Sequence, residues 1–169
     1  TGHINIYLVG VKSKIIDKLL RSSVPLSEIA YVRTGTMGFQ YWEMSSIIQK
    51  NSKVTNKVRR LLTPGLIDRY QILWENEEVQ LFNKKVMKPT IEYDPEKIDK
   101  NTWNLFLSPK IVVRGVASRL SAAWDNSGYG LLVAVHSIQS MSKYTPFFLI
   151  AIINSRLCNW YHIIKYYSA

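Results

Sequence analysis

The chain of 169 residues has little of the chemistry that an enzyme active site uses. It has one cysteine, Cys158, so neither an intramolecular disulfide nor a cysteine-rich zinc site can form. Its three histidines, His3, His136 and His162, are far apart and lack the H-x-x-x-H spacing that places two ligands on one metal. Neither a phosphate-binding P-loop nor a G-x-G-x-x-G fingerprint is present. We therefore expect a chain that performs no catalysis by itself.

Long hydrophobic segments are missing as well. The longest apolar run, from Pro146 to Ile153, is far shorter than the roughly 20 residues that a membrane-spanning helix needs. The apolar run 4–11 is not followed by the small-residue cleavage site of a signal peptide. With a single cysteine, the chain is in keeping with a reducing compartment. We expect a cytoplasmic protein that forms one globular domain and has no membrane partner.

Acidic residues are scarce, with 12 Asp and Glu against 22 Lys and Arg and a net charge of +10. The excess is at the two ends: residues 1–62 carry +7 and residues 101–169 carry +5, whereas residues 63–100 carry −2. A basic surface favours a polyanionic partner, because Lys and Arg side chains release condensed counterions from nucleic acid. Nucleic acid is therefore the leading candidate for the partner, although charge does not identify its kind.

The spacing of apolar residues predicts a mixture of strands and helices. Apolar groups three to five residues apart predict helices, and β-branched or aromatic runs predict strands. The predicted strands are 4–11, 39–43, 65–74, 78–82, 110–116 and 130–138, and the predicted helices are 11–20 and 54–62. Strands 65–74 and 78–82 are expected to form one hairpin. A second hairpin is expected to begin within 26–38, and 88–102 to form a surface connection.

The last part of the chain predicts a pair of helices. Thr145 followed by Pro146 is typical of a helix start, with a capping hydroxyl and a proline in the first turn. Asn154 and Ser155 interrupt the apolar run and can cap a second helix. We therefore expect an αα-hairpin at the carboxyl end.

Three other functions stay open from the residues alone. A metal-dependent nuclease would use the acidic stretch 92–99, although its turn-rich surroundings are more typical of a solvated charge run. An RNA-binding module would use the glycine turn from Gly35 to Gly38. An adaptor for another subunit or a lipid surface would use the basic helices.

Four sequence blocks resemble DNA target-recognition domains. LSEIAYVRTGTMGFQYW at 26–42 is similar to the opening of such a domain in type I specificity subunits. The other three blocks resemble the TaqI-like C-terminal specificity domain of adenine-specific DNA methyltransferases and type II restriction-modification enzymes. They are GLIDRYQI at 65–72, SPKIVVRGVASRLSAAWDNSGYG at 108–130 and LIAIINSRLCNWYH at 149–162. In the first of these three, Ile67 precedes Asp68, where the family usually has the reverse order.

The resemblance implies an α+β fold, with a twisted, partly barrel-like β-body and a C-terminal αα-hairpin. It implies that residues 1–24 link the chain to a preceding methyltransferase domain, that 25–142 form the target-recognition body and that 143–169 form the helix pair. The implied function is sequence-specific recognition of double-stranded DNA, with methyl transfer and cleavage left to other domains. The family's catalytic Asn/Asp-Pro-Pro-aromatic motif is absent, so no cofactor is expected here. The parent enzyme would use S-adenosylmethionine, with magnesium as a second candidate.

Base readout needs exposed donors and acceptors, and backbone contact needs positive charge. In the glycine turn, Arg33 can bind guanine, Gln40 can bind adenine, and Thr36 can contact a base edge or a phosphate. One of two consecutive aromatic residues on a strand faces away from the other and can stack on DNA. The complete set of predicted DNA-binding residues is Arg33, Thr36, Gln40, Tyr41, Trp42, Arg69, Tyr70, Lys110, Arg114 and Arg119.

Two of these predictions have structural alternatives. Arg69 can instead form an ion pair with Asp68 or another acidic residue. Strand alternation puts Arg114 on one face with Val112 and Val116, so it is either buried with a partner or free to meet a ligand.

Overall fold

The computed structural model describes residues 11–36, 41–140 and 144–166. Four α-helices and twelve strands are assigned in these ranges. The helices are α1 (Val11–Ser22), α2 (Lys100–Leu107), α3 (Pro146–Ile153) and α4 (Arg156–Tyr166). The strands are β1 (Ala30–Thr34), β2 (Ile48–Lys50), β3 (Val58–Leu62), β4 (Ile67–Asp68), β5 (Gln71–Ile72), β6 (Glu78–Leu81), β7 (Lys84–Met87), β8 (Pro89–Glu92), β9 (Lys110–Arg114), β10 (Ala122–Asp125), β11 (Gly130–Leu131) and β12 (Val135–Ser140).

The strands form two four-stranded sheets and two small hairpins. The first sheet has the order β1-β12-β9-β10 and is antiparallel throughout. The second has the order β11-β3-β8-β2, with β11 parallel to β3. β4 pairs with β5, and β6 pairs with β7. This confirms the predicted α+β class, while the sheets in the described part of the chain stay open and do not close into a barrel.

Strand β9 connects the two hydrophobic cores of the domain. Val112 belongs to the larger core, which both sheets and α2 build and which includes Leu62 and Phe106. Ile111 and Val113 point to the opposite face and belong to a smaller core. Because successive side chains of a strand alternate between its faces, one β-branched strand supplies both cores.

The predicted αα-hairpin is present and covers the smaller core. Leu149 and Ile150 of α3 pack there beside Val113. Thr145 Oγ1 accepts a hydrogen bond from Phe148 N–H at 3.3 Å and so caps α3. Ser155 Oγ accepts one from Cys158 N–H at 3.0 Å and caps α4. The capping signals in the sequence thus predicted both helix starts.

Asn154, between α3 and α4, joins the helix pair to strand β10. Its Oδ1 accepts from Ala122 N–H and its Nδ2 donates to Ala122 C=O, each at 2.9 Å. Asn159 Oδ1 adds a bond from Leu120 N–H at 2.9 Å. Because β10 is the last strand of its sheet, the Ala122 N–H would lack a partner on this side without the Asn154 amide.

The helix predicted at 54–62 is wrong. Residues 58–62 form β3, which pairs with β8 on one side and with β11 on the other. The spacing of Val54, Val58, Leu61 and Leu62 suits a helical face, but pairing with distant strands buries Leu61 and Leu62 completely. Tertiary pairing here overrides the local pattern.

Several predicted strand pairings are also wrong. The segment 26–38 does not begin a local hairpin, because β1 pairs with β12 more than 100 residues later. Segment 65–74 folds on itself as β4–β5, and 78–82 pairs with the residues after it as β6–β7. The expected surface connection 88–102 contains the buried strand β8 and the first three residues of helix α2.

Other boundaries differ in detail. The predicted strand 130–138 is split into β11 and β12 by a turn in which Ala134 has a φ of 61°. Strand 110–116 is confirmed as β9, and helix 11–20 as α1. The predicted strand at 4–11 lies outside the described residues except for Val11, which begins α1. The domain boundaries at 24 and 142 stay predictions.

None of the described helices can cross a membrane alone on the basis of length and hydropathy. The consecutive helices α3 and α4 meet both requirements only when taken together, and their axes bend by 56° at the break.

The amide of Asn154 gives a test of how the helix pair is attached. Asn154→Ala removes the partner of the buried Ala122 N–H, while the carbonyl keeps its second donor, Tyr70 N–H. We expect the free energy of unfolding to fall by about 1–3 kcal/mol, the cost of leaving one buried group unpaired. Urea denaturation measures it. The control is Asn76→Ala in an exposed turn, expected within about 0.5 kcal/mol of wild type; equal stability of the two variants would contradict the role of Asn154.

Candidate nucleic-acid interface

Asp68 lies at the centre of a group of arginine residues at the end of β4. Its Oδ1 accepts hydrogen bonds from the backbone N–H of Arg69 at 2.7 Å and from Arg119 Nη2 at 2.9 Å. The bond from Arg69, and then the bond and charge of Arg119 and the charge of Arg114, hold the pKa of this carboxyl below its usual value despite some desolvation. Asp68 is therefore ionised at neutral pH and orients Arg119 on the surface.

Tyr70 projects from the two-residue turn between β4 and β5. Asp68 pairs with Gln71 across this hairpin, so Arg69 and Tyr70 form the turn. Tyr70 has a φ of 68°, which a bulky residue seldom adopts. Its N–H donates to Ala122 C=O at 2.8 Å, and 60% of the residue is exposed. The turn thus holds an aromatic ring in solvent beside the arginine group.

Arg69 is engaged with the helix pair. Its Nη2 donates to the backbone carbonyl oxygen of Asn154, at the carboxyl end of α3, where the helix dipole favours a positive charge. The guanidinium carbon lies 5.9 Å from the centroid of the Tyr70 ring. The Arg69 side chain therefore does not form the predicted ion pair with Asp68, and it is not fully exposed. Arg69 positions the turn and contributes its charge from a half-buried site.

Arg114 ends β9, and Arg119 lies in the loop that joins β9 to β10. Arg114 is half-buried, and its Nε donates to Val116 C=O at 3.1 Å, so it turns toward its own loop. About half of the Arg119 side chain is exposed, at 52%. Gly115 lets this loop approach the turn before β12, because a Cβ here would lie 2.6 Å from Ala134 O. The two arginines therefore present positive charge from a fixed loop.

Lys110 has a different role from the one predicted. Its side chain is 0% exposed, and its Nζ donates to Asp125 Oδ2 at 2.5 Å and to Phe106 C=O at 2.7 Å. Ser108 C=O is a third acceptor, at 3.2 Å. Burial lowers the pKa of the ammonium, and Asp125 opposes that effect. Because the ammonium cannot reach a phosphate, we do not retain Lys110 as a candidate DNA contact.

The three predicted residues of the glycine turn have different positions. Arg33 is exposed on the edge strand β1, between hollows of about 710 Å³ and 500 Å³ that α2 also borders. Thr36 is 5% exposed, and its hydroxyl has no hydrogen-bond partner among the described residues. A base edge cannot reach a side chain so enclosed, so Thr36 is also not retained. Gln40 lies outside the described residues.

Tyr41 and Trp42 form an aromatic group with Phe82. The predicted strand at 39–43 is wrong for its described part, because residues 41 and 42 form a turn before a 3₁₀ helix at Glu43–Ser46. The Tyr41 ring lies 4.6 Å from that of Phe82, and its hydroxyl accepts from Phe82 N–H at 3.0 Å. Trp42 is 61% exposed. The expectation that one ring of the pair faces outward thus applies to Trp42.

The sequence predictions missed the structural contacts of Arg60, Asn154 and Asn159. Arg60 does not lie on a basic helical face: its guanidinium carbon is 4.9 Å from the Trp74 ring centroid, and its Nη1 donates to Tyr129 Oη at 3.4 Å. Asn154 and Asn159 belong to the last resembling block, but no contact with β10 was predicted for them. A polar amide between two apolar helices was the signal, since such a buried group needs partners.

The acidic stretch 92–99 serves local structure. Asp99 caps α2 by accepting from Asn101 N–H and Thr102 N–H at 2.8 and 3.0 Å. Asp94 lies 3.9 Å from Lys97. Within residues 11–36, 41–140 and 144–166, no three His, Cys, Asp or Glu side chains come together as a metal site.

Comparison with protein families identifies the chain. A model of the TaqI-like C-terminal specificity domain matches residues 60–169, about two thirds of the length. The chain belongs to this family, whose role is DNA recognition in methyltransferase systems. Three of the four resembling sequence blocks lie inside the matched range, and the block at 26–42 precedes it. No curated protein sequence matches the chain.

Removing the cation of the buried Lys110–Asp125 ion pair should strongly lower the stability of the fold. Lys110→Met leaves the Asp125 carboxylate buried without its cation, so we expect the free energy of unfolding to fall by about 3–5 kcal/mol. Chemical denaturation measures the loss. Lys100→Met, at an exposed position in the first turn of α2, should change stability by less than about 0.5 kcal/mol. If both variants unfold at the same denaturant concentration, the structural role of Lys110 is wrong.

Proposed function

We propose that the chain reads a short target sequence in double-stranded DNA for an adenine-specific methyltransferase of a restriction-modification system. The observation that supports this most is the grouping of Tyr70, Arg114 and Arg119 around Asp68 at one end of the β-body. Positive side chains set the register on phosphates, and an aromatic ring can pack against sugar or base. Their common attachment to the loop 115–121 and to Ala122 gives them fixed relative positions.

The predicted residues take unequal parts in this proposal. Arg119, Arg114 and Tyr70 contact the sugar-phosphate backbone, and Arg69 orients their turn. Arg33 and Trp42, both exposed, are retained as candidates for base contact, and Gln40 stays a predicted base contact. The chain supplies recognition without methyl transfer or cleavage. A methyltransferase domain of the same parent protein supplies S-adenosylmethionine chemistry, and the complex works in the cytoplasm.

Arg119 provides the sharpest test of backbone contact. Arg119→Gln removes one positive charge and leaves Asp68 exposed to the phosphates, so it should weaken binding to every duplex alike. The slope of log affinity against log salt should fall in magnitude by about 0.9, the value for one phosphate contact on B-DNA. Fluorescence anisotropy of a labelled duplex, titrated at several salt concentrations, measures both quantities.

The matched control is Lys57→Gln. Lys57 is exposed and directly precedes β3, at the end opposite to Thr63 and the arginine group, so its loss should leave the salt slope unchanged. If both variants keep the wild-type salt slope, or if both reduce it equally, the DNA interface does not lie at the end that carries the arginine group.

Binding and cleavage assays on the same purified protein distinguish DNA recognition from the three alternative functions. Tighter binding to single-stranded RNA than to duplex DNA would support an RNA-binding module. Cleavage of DNA on addition of magnesium or manganese would support a nuclease, and binding to anionic vesicles in the presence of excess DNA would support a lipid-surface adaptor. Each of these results would contradict the proposal.

A further inference from the structure

The β6–β7 hairpin has a two-residue turn with an unusual backbone. Leu81 pairs with Lys84, so Phe82 and Asn83 form the turn, with φ values of 50° and 63°. Two consecutive positive φ angles match the right-handed twist of a hairpin, and Asn adopts them readily. Phe does not, so its position stores strain that the surroundings must offset. Tyr41 stabilises this conformation, because its hydroxyl accepts from Phe82 N–H and its ring packs on the Phe82 ring.

One strand of this hairpin, β6, borders a cleft that it shares with the turn before β12. Gln80 and Leu81 border a cleft of about 410 Å³ together with Val133 and Ala134. Ala134 C=O in turn accepts from Gly115 N–H at 2.8 Å, next to Arg114. The turn before β12 therefore lies between the β6 strand of the hairpin and the loop that follows Arg114.

The exposed side chains of the hairpin suit a DNA partner. Gln80, Asn83, Lys84 and Lys85 are exposed, and Trp42 adds an exposed ring 5.8 Å from that of Phe82. Lys85 lies 3.6 Å from Glu78 and is partly neutralised. Lys84 forms no ion pair with any residue that the structure describes. The hairpin thus presents a positive charge and two amides.

We propose that the β6–β7 hairpin enters the major groove of the target duplex and that Asn83 reads an adenine through its N6 and N7 atoms. The major groove admits a two-stranded β-ribbon, and an Asn amide matches the donor and acceptor of adenine. Lys84 contacts a neighbouring phosphate. The packing of Phe82 on Tyr41 fixes the tip, so the amide is held in place before DNA binds. This inference rests on the proposed function and names one of its reading elements.

The experiment selects preferred sequences from a randomised duplex library with the whole 169-residue protein. Wild type, Asn83→Gly and Asn83→Asp are compared, since Gly and Asp both tolerate a positive φ and preserve the turn. Thermal melting verifies that each variant folds as wild type does. The control is Asn76→Gly, an exposed residue in the turn before β6, at the other end of the hairpin from its tip.

The expected result is a change at one position of the selected sequence. Wild type should prefer adenine there by about 5- to 150-fold, the range for one good bidentate pair. Asn83→Gly should lose that preference and keep the others, and Asn83→Asp should disfavour adenine because a carboxylate has no donor for N7. Asn76→Gly should select the wild-type sequence.

Three other results would overturn the inference, and they are distinguishable. If Asn83→Gly and Asn83→Asp select the same sequence as wild type, the hairpin does not read a base, while the proposed function stands. If wild type selects no sequence at all, the proposed function fails and the inference fails with it. Loss of the same adenine in Asn76→Gly would likewise show that the effect does not come from the tip.

Discussion

The backbone N–H and C=O of Ala122 hold the candidate interface together. Its N–H donates to Asn154 Oδ1, and its C=O accepts from both Asn154 Nδ2 and Tyr70 N–H. One residue at the edge of the first sheet thus joins the helix pair, the β4–β5 turn and the start of β10. A buried backbone group without a partner is costly, so these hydrogen bonds stabilise the arrangement of the three elements. The exposed Tyr70 depends on this backbone for its position, whereas Asp68 orients Arg119.

A second constraint fixes the scaffold behind that surface. The ion pair of Lys110 and Asp125 is fully buried, and Asp125 also accepts from the backbone N–H groups of Ser127, Gly128 and Tyr129. It therefore ties β9 and β10 to the turn 125–129. Such a pair contributes specificity of structure when every donor and acceptor is satisfied. Lys110, which the sequence predicted to bind DNA, thus serves the fold.

Local signals predicted the elements whose structure depends on local contacts. The β-branched run of β9 and the caps at Thr145 and Ser155 were identified correctly for this reason. β3 was missed because Val58, Leu61 and Leu62 fit a helical face equally well, and its partners β8 and β11 are distant in sequence. Of the candidate site, the sequence identified Tyr70, Arg114 and Arg119. It did not separate them from Lys110, because burial depends on the tertiary fold.

The central claim is that one end of the β-body contacts duplex DNA. Amide hydrogen exchange of the whole protein, measured by mass spectrometry with and without duplex at low salt, tests it most directly. The account predicts slower exchange in segments 68–71 and 115–121 on binding, with exchange in 51–57 unchanged. Unchanged exchange in 68–71 and 115–121 at saturating duplex, or slowing confined to 51–57, would contradict it.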